Sequence, residues 1–213
     1  ANPYASRDPR LGLFVVFNGA PFKTGTLSRA VETFDGGADN ILTNPNSTKT
    51  GYYMRKFLSE NATYNVTGAA QRRRPWVLFR YAETLLNHAE ALNEAVGPTA
   101  DVYSSINLVR VRGGLPVLPT GLSQGAMRDR IRNERRVELS FEEHRFFDVR
   151  RWKLGETFFN GPARGMKITK TGTALTYTPF VVETRVFAAK NYLYPIAQGE
   201  INKAPALEQN PGY

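Results

Sequence analysis

Residues 134–152, ERRVELSFEEHRFFDVRRW, bring five arginines and five carboxylates into nineteen positions. Such a stretch suits three kinds of chemistry: phosphate binding, acid/base catalysis by paired carboxylates, or ion pairing in a buried helix. Glycoside hydrolysis would draw its two carboxyl groups from Glu138, Glu142, Glu143 and Asp148, one of them needing a raised pKa. On a helical path each candidate pair joins an acid to a base: Arg135 to Glu138, Glu142 to Arg145, His144 to Asp148. A paired carboxylate titrates low, which is the wrong direction for a general acid. Val137, Leu139, Phe141, Phe146, Phe147, Val149 and Trp152 point several ways around the axis, as on a helix buried on most sides. The stretch therefore predicts a structural ion-pair helix, with arginines present because their planar fork satisfies several acceptors at once.

Other chemistries find less support. His88 and His144 are the only histidines, and neither stands in an H-x-x-x-H or E-x-x-H pattern, so no metal site is expected. There is no cysteine, and no nucleophile elbow, phosphate-binding glycine loop or dinucleotide fingerprint. No catalytic residue and no cofactor are expected. The net charge of +9 is spread along the chain, and Arg72-Arg73-Arg74 is its only undiluted basic run, so nucleic-acid binding is not expected. No apolar run reaches the length of a membrane span, and ANPYASRDPR lacks the layout of a signal peptide.

The elements that would position these residues fall into three stretches. Residues 1–75 are loop-rich, with a β-like run at 13–17, turn signals at Asp35-Gly36-Gly37 and Asn44-Pro45-Asn46, and three N-x-S/T triplets at Asn46, Asn61 and Asn65 that arise readily by chance in such loops. Residues 76–153 form a helical core. Leu78, Ala82, Leu85, Leu86, Ala89, Leu92 and Val96 share one helical face, and Gly97-Pro98 stops it. Thr99 caps a second helix bearing Val102, Ile106 and Val109, and Gly113-Gly114 ends that helix. Two helices across so short a turn make a hairpin of the tetratricopeptide kind. Ser123 caps a third, which runs through Met127 and Ile131 into the arginine-rich stretch. Residues 154–213 are expected as extended segments laid over the helices, with β-like pieces at 174–182 and 191–196.

RYAETLLNHAEALNE at 80–94, INLVRVRGGLP at 106–116, the 134–152 stretch, YLYPIAQGEI at 192–201 and QNPGY at 209–213 resemble the C-terminal part of the SusD/RagB family. DPRL at 8–11 and TGYYMRKF at 50–57 fit as well. Ala197 stands where that family usually has proline, and Lys203-Ala204 where it usually has Asn-Pro. The resemblance implies a mainly α fold of tetratricopeptide-like hairpins with long loops and short β segments, present here as a C-terminal fragment of one domain. It implies non-enzymatic oligosaccharide binding at the extracellular face of the outer membrane of Bacteroidetes. The implied partner is a SusC-like TonB-dependent transporter, and the implied membrane association runs through a lipid anchor upstream of this chain. Peptide binding in the same importer role, or a tetratricopeptide-like scaffold for proteins, are the alternatives.

A sugar site needs aromatic faces for C–H stacking and planar polar groups for hydroxyls. Outside the helical core the candidates are Tyr52, Tyr53, Tyr64 and Trp76, with Arg73, Asn61 and Asn65 close in sequence. The packing reading, in which each aromatic fills a gap between loop and helix, is the stronger of the two.

Overall fold

The computed structural model describes residues 2–24, 27–60 and 76–213. Its centre is a unit of three helices. The first long helix, α2 (Tyr81–Val96), follows a short helical turn, α1 (Leu11–Phe14), near the start of the chain. Ala82, Leu86 and Ala89 recur on one buried face of α2, and the helix stops at Gly97, whose φ of 91° a side chain would resist. Leu78 lies outside it: the helix begins three residues later, and Leu78 is exposed.

Helix α3 (Ala100–Arg112) packs back on α2 through Val102, Ile106 and Val109, so the hairpin expected from the apolar spacing is present. Thr99 occupies the cap position without a side-chain capping bond. Ser123 does cap α4 (Gln124–Glu138), its Oγ accepting from Ala126 N at 3.2 Å. Met127 and Ile131 of α4 join α2 and α3 in one continuous core closed by Leu118 and Leu139.

The arginine-rich stretch is not the single helix expected. Helix α4 ends at Glu138, the chain turns through Phe141 (φ 64°) and Glu143 (φ 66°), and a separate helix α5 (His144–Arg151) follows. Two non-glycine residues in the left-handed region cost roughly 1–2 kcal/mol each. No glycine or proline marks the break, so local pattern could not announce it. Burial follows expectation in part, with Leu139 and Val149 buried. Glu134, Arg135, Glu138 and Asp148 are buried, whereas Phe141 and Phe147 are exposed.

Of the β-like run at 13–17 only Val15–Val16 (β1) is strand, paired antiparallel with Tyr53–Met54 (β4). Pro21–Thr24 (β2) and Leu27–Ala30 (β3) form a hairpin, and Val16, Ala20 and Val31 make a second, small core. The last stretch contains a short helix α6 (Gly155–Phe158) and a long hairpin of β5 (Gly161–Thr171) and β6 (Ala174–Arg185). The β-like piece at 174–182 is therefore strand, but 191–196 is not; a 3-10 turn at Ala189–Tyr192 leads into irregular chain and α7 (Gln198–Lys203). The hairpin's backbone bonds do not reach the helices. Met166 N donates to Thr50 O at 2.9 Å and Asp35 N to Ile168 O at 2.8 Å, which docks it on the loops of the first stretch. Among the described residues no helix is long and apolar enough to cross a membrane.

Candidate functional site

The acids of α4 and the following turn are counter-ions for bases drawn from across the chain. Arg10, 3% exposed, donates through Nη1 to Glu134 at 2.6 Å and Glu138 at 2.8 Å, and grips Asp8 with Nε and Nη2 at 3.0 and 2.8 Å. Glu138 also accepts from Arg80 Nη1 at 2.6 Å and from Arg112, while Glu134 accepts from Arg110 at 3.1 Å. Arg80 turns its Nε and Nη2 to Glu142 at 2.6 and 2.8 Å, and Lys56 pairs with the same carboxylate. Burial pushes Glu138 and Glu142 up, but hydrogen bonds from Arg80 together with Arg10 and Lys56 outweigh it and hold both below the usual carboxylate range.

The pairs expected within the stretch do not form. Arg135 reaches forward to Asp148, at 2.9 and 3.0 Å, and sideways to Asn87. Asp148 takes its second arginine from Arg151, and His144 faces Glu83 at 3.7 Å. Arg145 has no carboxylate partner among the described residues; its guanidinium lies 4.5 Å from the Phe158 ring centroid, and burial pushes its pKa down. A turn between α4 and α5 replaces helical neighbours by partners far away in sequence. That is why spacing identified the kind of interaction but not its members.

Above this network lies a groove of about 750 Å³, bounded by residues 54–59, the run 76–83 and the turn 141–147. Its volume is within the roughly 300–1,000 Å³ usual for ligand sites. Arg80 and Glu142 line it and are already engaged with each other, which fixes the relative position of the two walls. Glu83, Glu143 and His144 line it as polar groups outside the arginine clamp. Trp76 and Phe79 stand over it at 78% and 85% exposure, with Phe57, Phe141 and Phe147 also on the lining. No cluster of three or more metal-ligating side chains occurs among the described residues.

Of the sugar-site candidates, Trp76 lines this groove. Tyr53 is placed elsewhere: its ring packs on the small core of Val16, Ala20 and Val31, and its hydroxyl donates to Asp39 O at 2.9 Å. Tyr52 meets the edge of the Tyr4 ring at 6.2 Å, and Tyr4 in turn meets Tyr177 of β6. Both tyrosines thus serve packing between loops. Tyr64 and Arg73, with Asn61 and Asn65, lie outside the described residues. Sequence reasoning missed Phe79, Phe141 and Phe147. The first was absorbed into a helix that starts later, and the other two into a helix that in fact breaks.

Comparison with known proteins agrees with this architecture. The model of the SusD family matches residues 1–213. SusD-like protein P2 of Formosa agariphila is 33% identical over 146 residues, which are 65% of this chain and 26% of its own. A SusD-like protein of Bacteroides fragilis superposes with a TM-score of 0.81 at 31% identity, over 99% of this chain and 40% of that one. A SusD-like carbohydrate binding protein of the same species superposes with a TM-score of 0.76 at 26% identity, over 96% of this chain and 42% of that one. The chain thus spans less than half the length of these relatives. With the family model matched over residues 1–213 and 99% of the chain superposing on a solved SusD-like protein, the chain belongs to the SusD family.

Proposed function

We propose that the chain is the C-terminal part of a non-enzymatic oligosaccharide-binding protein that serves a SusC-like TonB-dependent transporter at the extracellular face of the outer membrane, lipid-anchored through a segment upstream of these residues. Family membership and the carbohydrate-binding relative from Bacteroides fragilis support the role. The observation that carries the site is the groove itself. Exposed Trp76 and Phe79 offer flat apolar faces beside Glu83, Glu143 and His144, the combination with which sugars are held. Tyr64 and Arg73 belong to the same reading, as sequence neighbours of Trp76. A non-enzymatic role is supported by the same network, in which hydrogen bonds from Arg80 with Arg10 and Lys56 hold Glu138 and Glu142 below the usual carboxylate range, the wrong direction for a general acid.

The test is calorimetry on the longer protein that contains this chain, with a panel of oligosaccharides and of short peptides. At least one oligosaccharide should bind, Trp76→Ala should weaken it roughly tenfold or more, as loss of a central aromatic anchor does, and no sugar should be hydrolysed. Affinity for peptides alone, or oligosaccharide affinity indifferent to Trp76, would overturn the reading.

A further inference from the structure

Among the described residues five side chains other than glycine sit at positive φ, and three of them, Phe57, Phe141 and Glu143, line the groove beside Trp76. The two phenylalanines occupy the same place in two similar turns. Leu58 N donates to Arg55 O at 2.9 Å and Glu142 N to Leu139 O at 3.2 Å, so each phenylalanine is the third residue of its turn, at φ 70° and 64°. Glycine or asparagine ordinarily fills that place when φ is positive. Neither ring gains full burial in exchange, since both remain 46% exposed. Strained residues of this kind persist only where their surroundings over-determine them, and they gather at ligand clamps.

One ion pair joins the two turns. Lys56, which precedes Phe57, pairs with Glu142, which follows Phe141. Its Nζ also donates to Glu138 O at 2.9 Å, and lies 4.0 Å from the Phe14 ring centroid and 5.9 Å from that of Phe57. A single ammonium therefore engages the end of α4, the second turn and two rings of the first stretch. Lys56 is not itself on the groove lining. Its two acceptors do not depend on it, because Arg80 donates to Glu142 and, through Nη2, to Glu138 O at 2.7 Å. What Lys56 adds is the tie between residues 55–58 and residues 139–142.

We propose that Lys56 is a positioning residue for the groove: it holds the turn at Phe57 against the turn at Phe141, so that both rings are presented on the groove walls before a ligand arrives. The proposal deepens the reading of the groove as a ligand site and rests on it. Lys56 acts through Phe57 and not by contact with ligand. Rings ordered in advance spare the ligand the entropy of ordering them, so the loss of Lys56 falls on affinity more than on folding.

The experiment places para-fluorophenylalanine at position 57 of the longer protein and reads it by fluorine NMR without ligand, beside calorimetry with the oligosaccharide panel. The unaltered protein should give one sharp resonance. Lys56→Met, which keeps the stem and removes the charge, should broaden or split it and weaken the oligosaccharide about threefold to tenfold, the effect of leaving one or two side chains to be ordered on binding. Lys56→Arg, which keeps the charge, should restore the single resonance and most of the affinity. A resonance that stays sharp in Lys56→Met, or an affinity loss that Lys56→Arg does not recover, would overturn the proposal. Phe57→Gly is a second arm should Lys56→Met fail to fold. It removes strain and ring together, so the urea midpoint should hold or rise while affinity falls; a lower midpoint with unchanged affinity would show that the ring serves packing and would overturn the proposal as well. The two readings fail separately. A resonance that splits as expected when no oligosaccharide binds removes the glycan reading and keeps the positioning role, whereas affinity that depends on Trp76 but not on Lys56 removes the positioning role alone.

Discussion

Arg10 and Arg145 show how differently two arginines of one protein can be used. Arg10 is buried and serves three carboxylates, of which Glu134 and Glu138 are buried too. Removing one member of such a cluster strands the others in a low dielectric, at about 3–5 kcal/mol. Arg10→Ala should therefore cost that much in urea denaturation of the longer protein, with partial recovery in Arg10→Lys, because an ammonium cannot reach Asp8 and both glutamates in the fork geometry. Arg145 has only the Phe158 ring, so Arg145→Ala should cost no more than about 0.5–1 kcal/mol in the same measurement. Titration supplies a further test at this scale. Glu138 and Glu142 have folded pKa values below the ordinary glutamate value, since the arginine and lysine hydrogen bonds outweigh burial. A depressed folded pKa stabilises above the unfolded value of about 4.3, and the gain is lost as the pH falls through the folded pKa. The denaturation midpoint should fall on acidification below about pH 4.3, and Glu142→Gln should flatten that slope while lowering stability at neutral pH.

At the scale of elements, the β5–β6 hairpin depends on close backbone approach. Its register runs from Gly161 opposite Arg185 to Thr171 opposite Ala174, so its own bonds hold it together, but only a few contacts fasten it to the loops. Gly165→Ala sets a methyl within 2.9 Å of Thr50 Cα and O, backbone atoms that cannot swing aside. Overpacking of this kind costs about 1–3 kcal/mol. The hairpin should loosen without melting, which hydrogen exchange would read as faster exchange at Met166 N and Asp35 N with cross-strand amides still protected. Equal loss of protection throughout the hairpin would show that docking and strand pairing form one cooperative unit.

For the whole molecule, the informative surface is on the helical hairpin, where Val96 of α2 and Leu108 and Val111 of α3 are exposed and take no part in the groove beside Trp76. Apolar exposure of this kind marks an interaction surface. Solved relatives that superpose on 99% and 96% of this chain are themselves more than twice its length. Residues 1–213 expressed alone should accordingly melt broadly and with concentration dependence, and should bind a hydrophobic dye that the longer protein does not bind. A sharp transition independent of concentration would contradict this.

The sequence by itself determined the helical hairpin, the Ser123 cap and the role of the arginine-rich stretch, because 3.6-residue periodicity, capping chemistry and charge balance act over a single turn of chain. It also carried the family, through motifs such as QNPGY, whose Gln209 amide closes on both backbone groups of Ile196. Only the tertiary structure decided the rest. Which carboxylate meets which arginine follows from the turn at Phe141–Glu143, where two strained residues are tolerated because the bend brings buried Arg135 onto Asp148. That Tyr53 packs half-buried on the small core while Trp76 is exposed follows likewise from where distant loops pack, since an aromatic residue reads the same in sequence whether a neighbouring segment covers it or leaves it open.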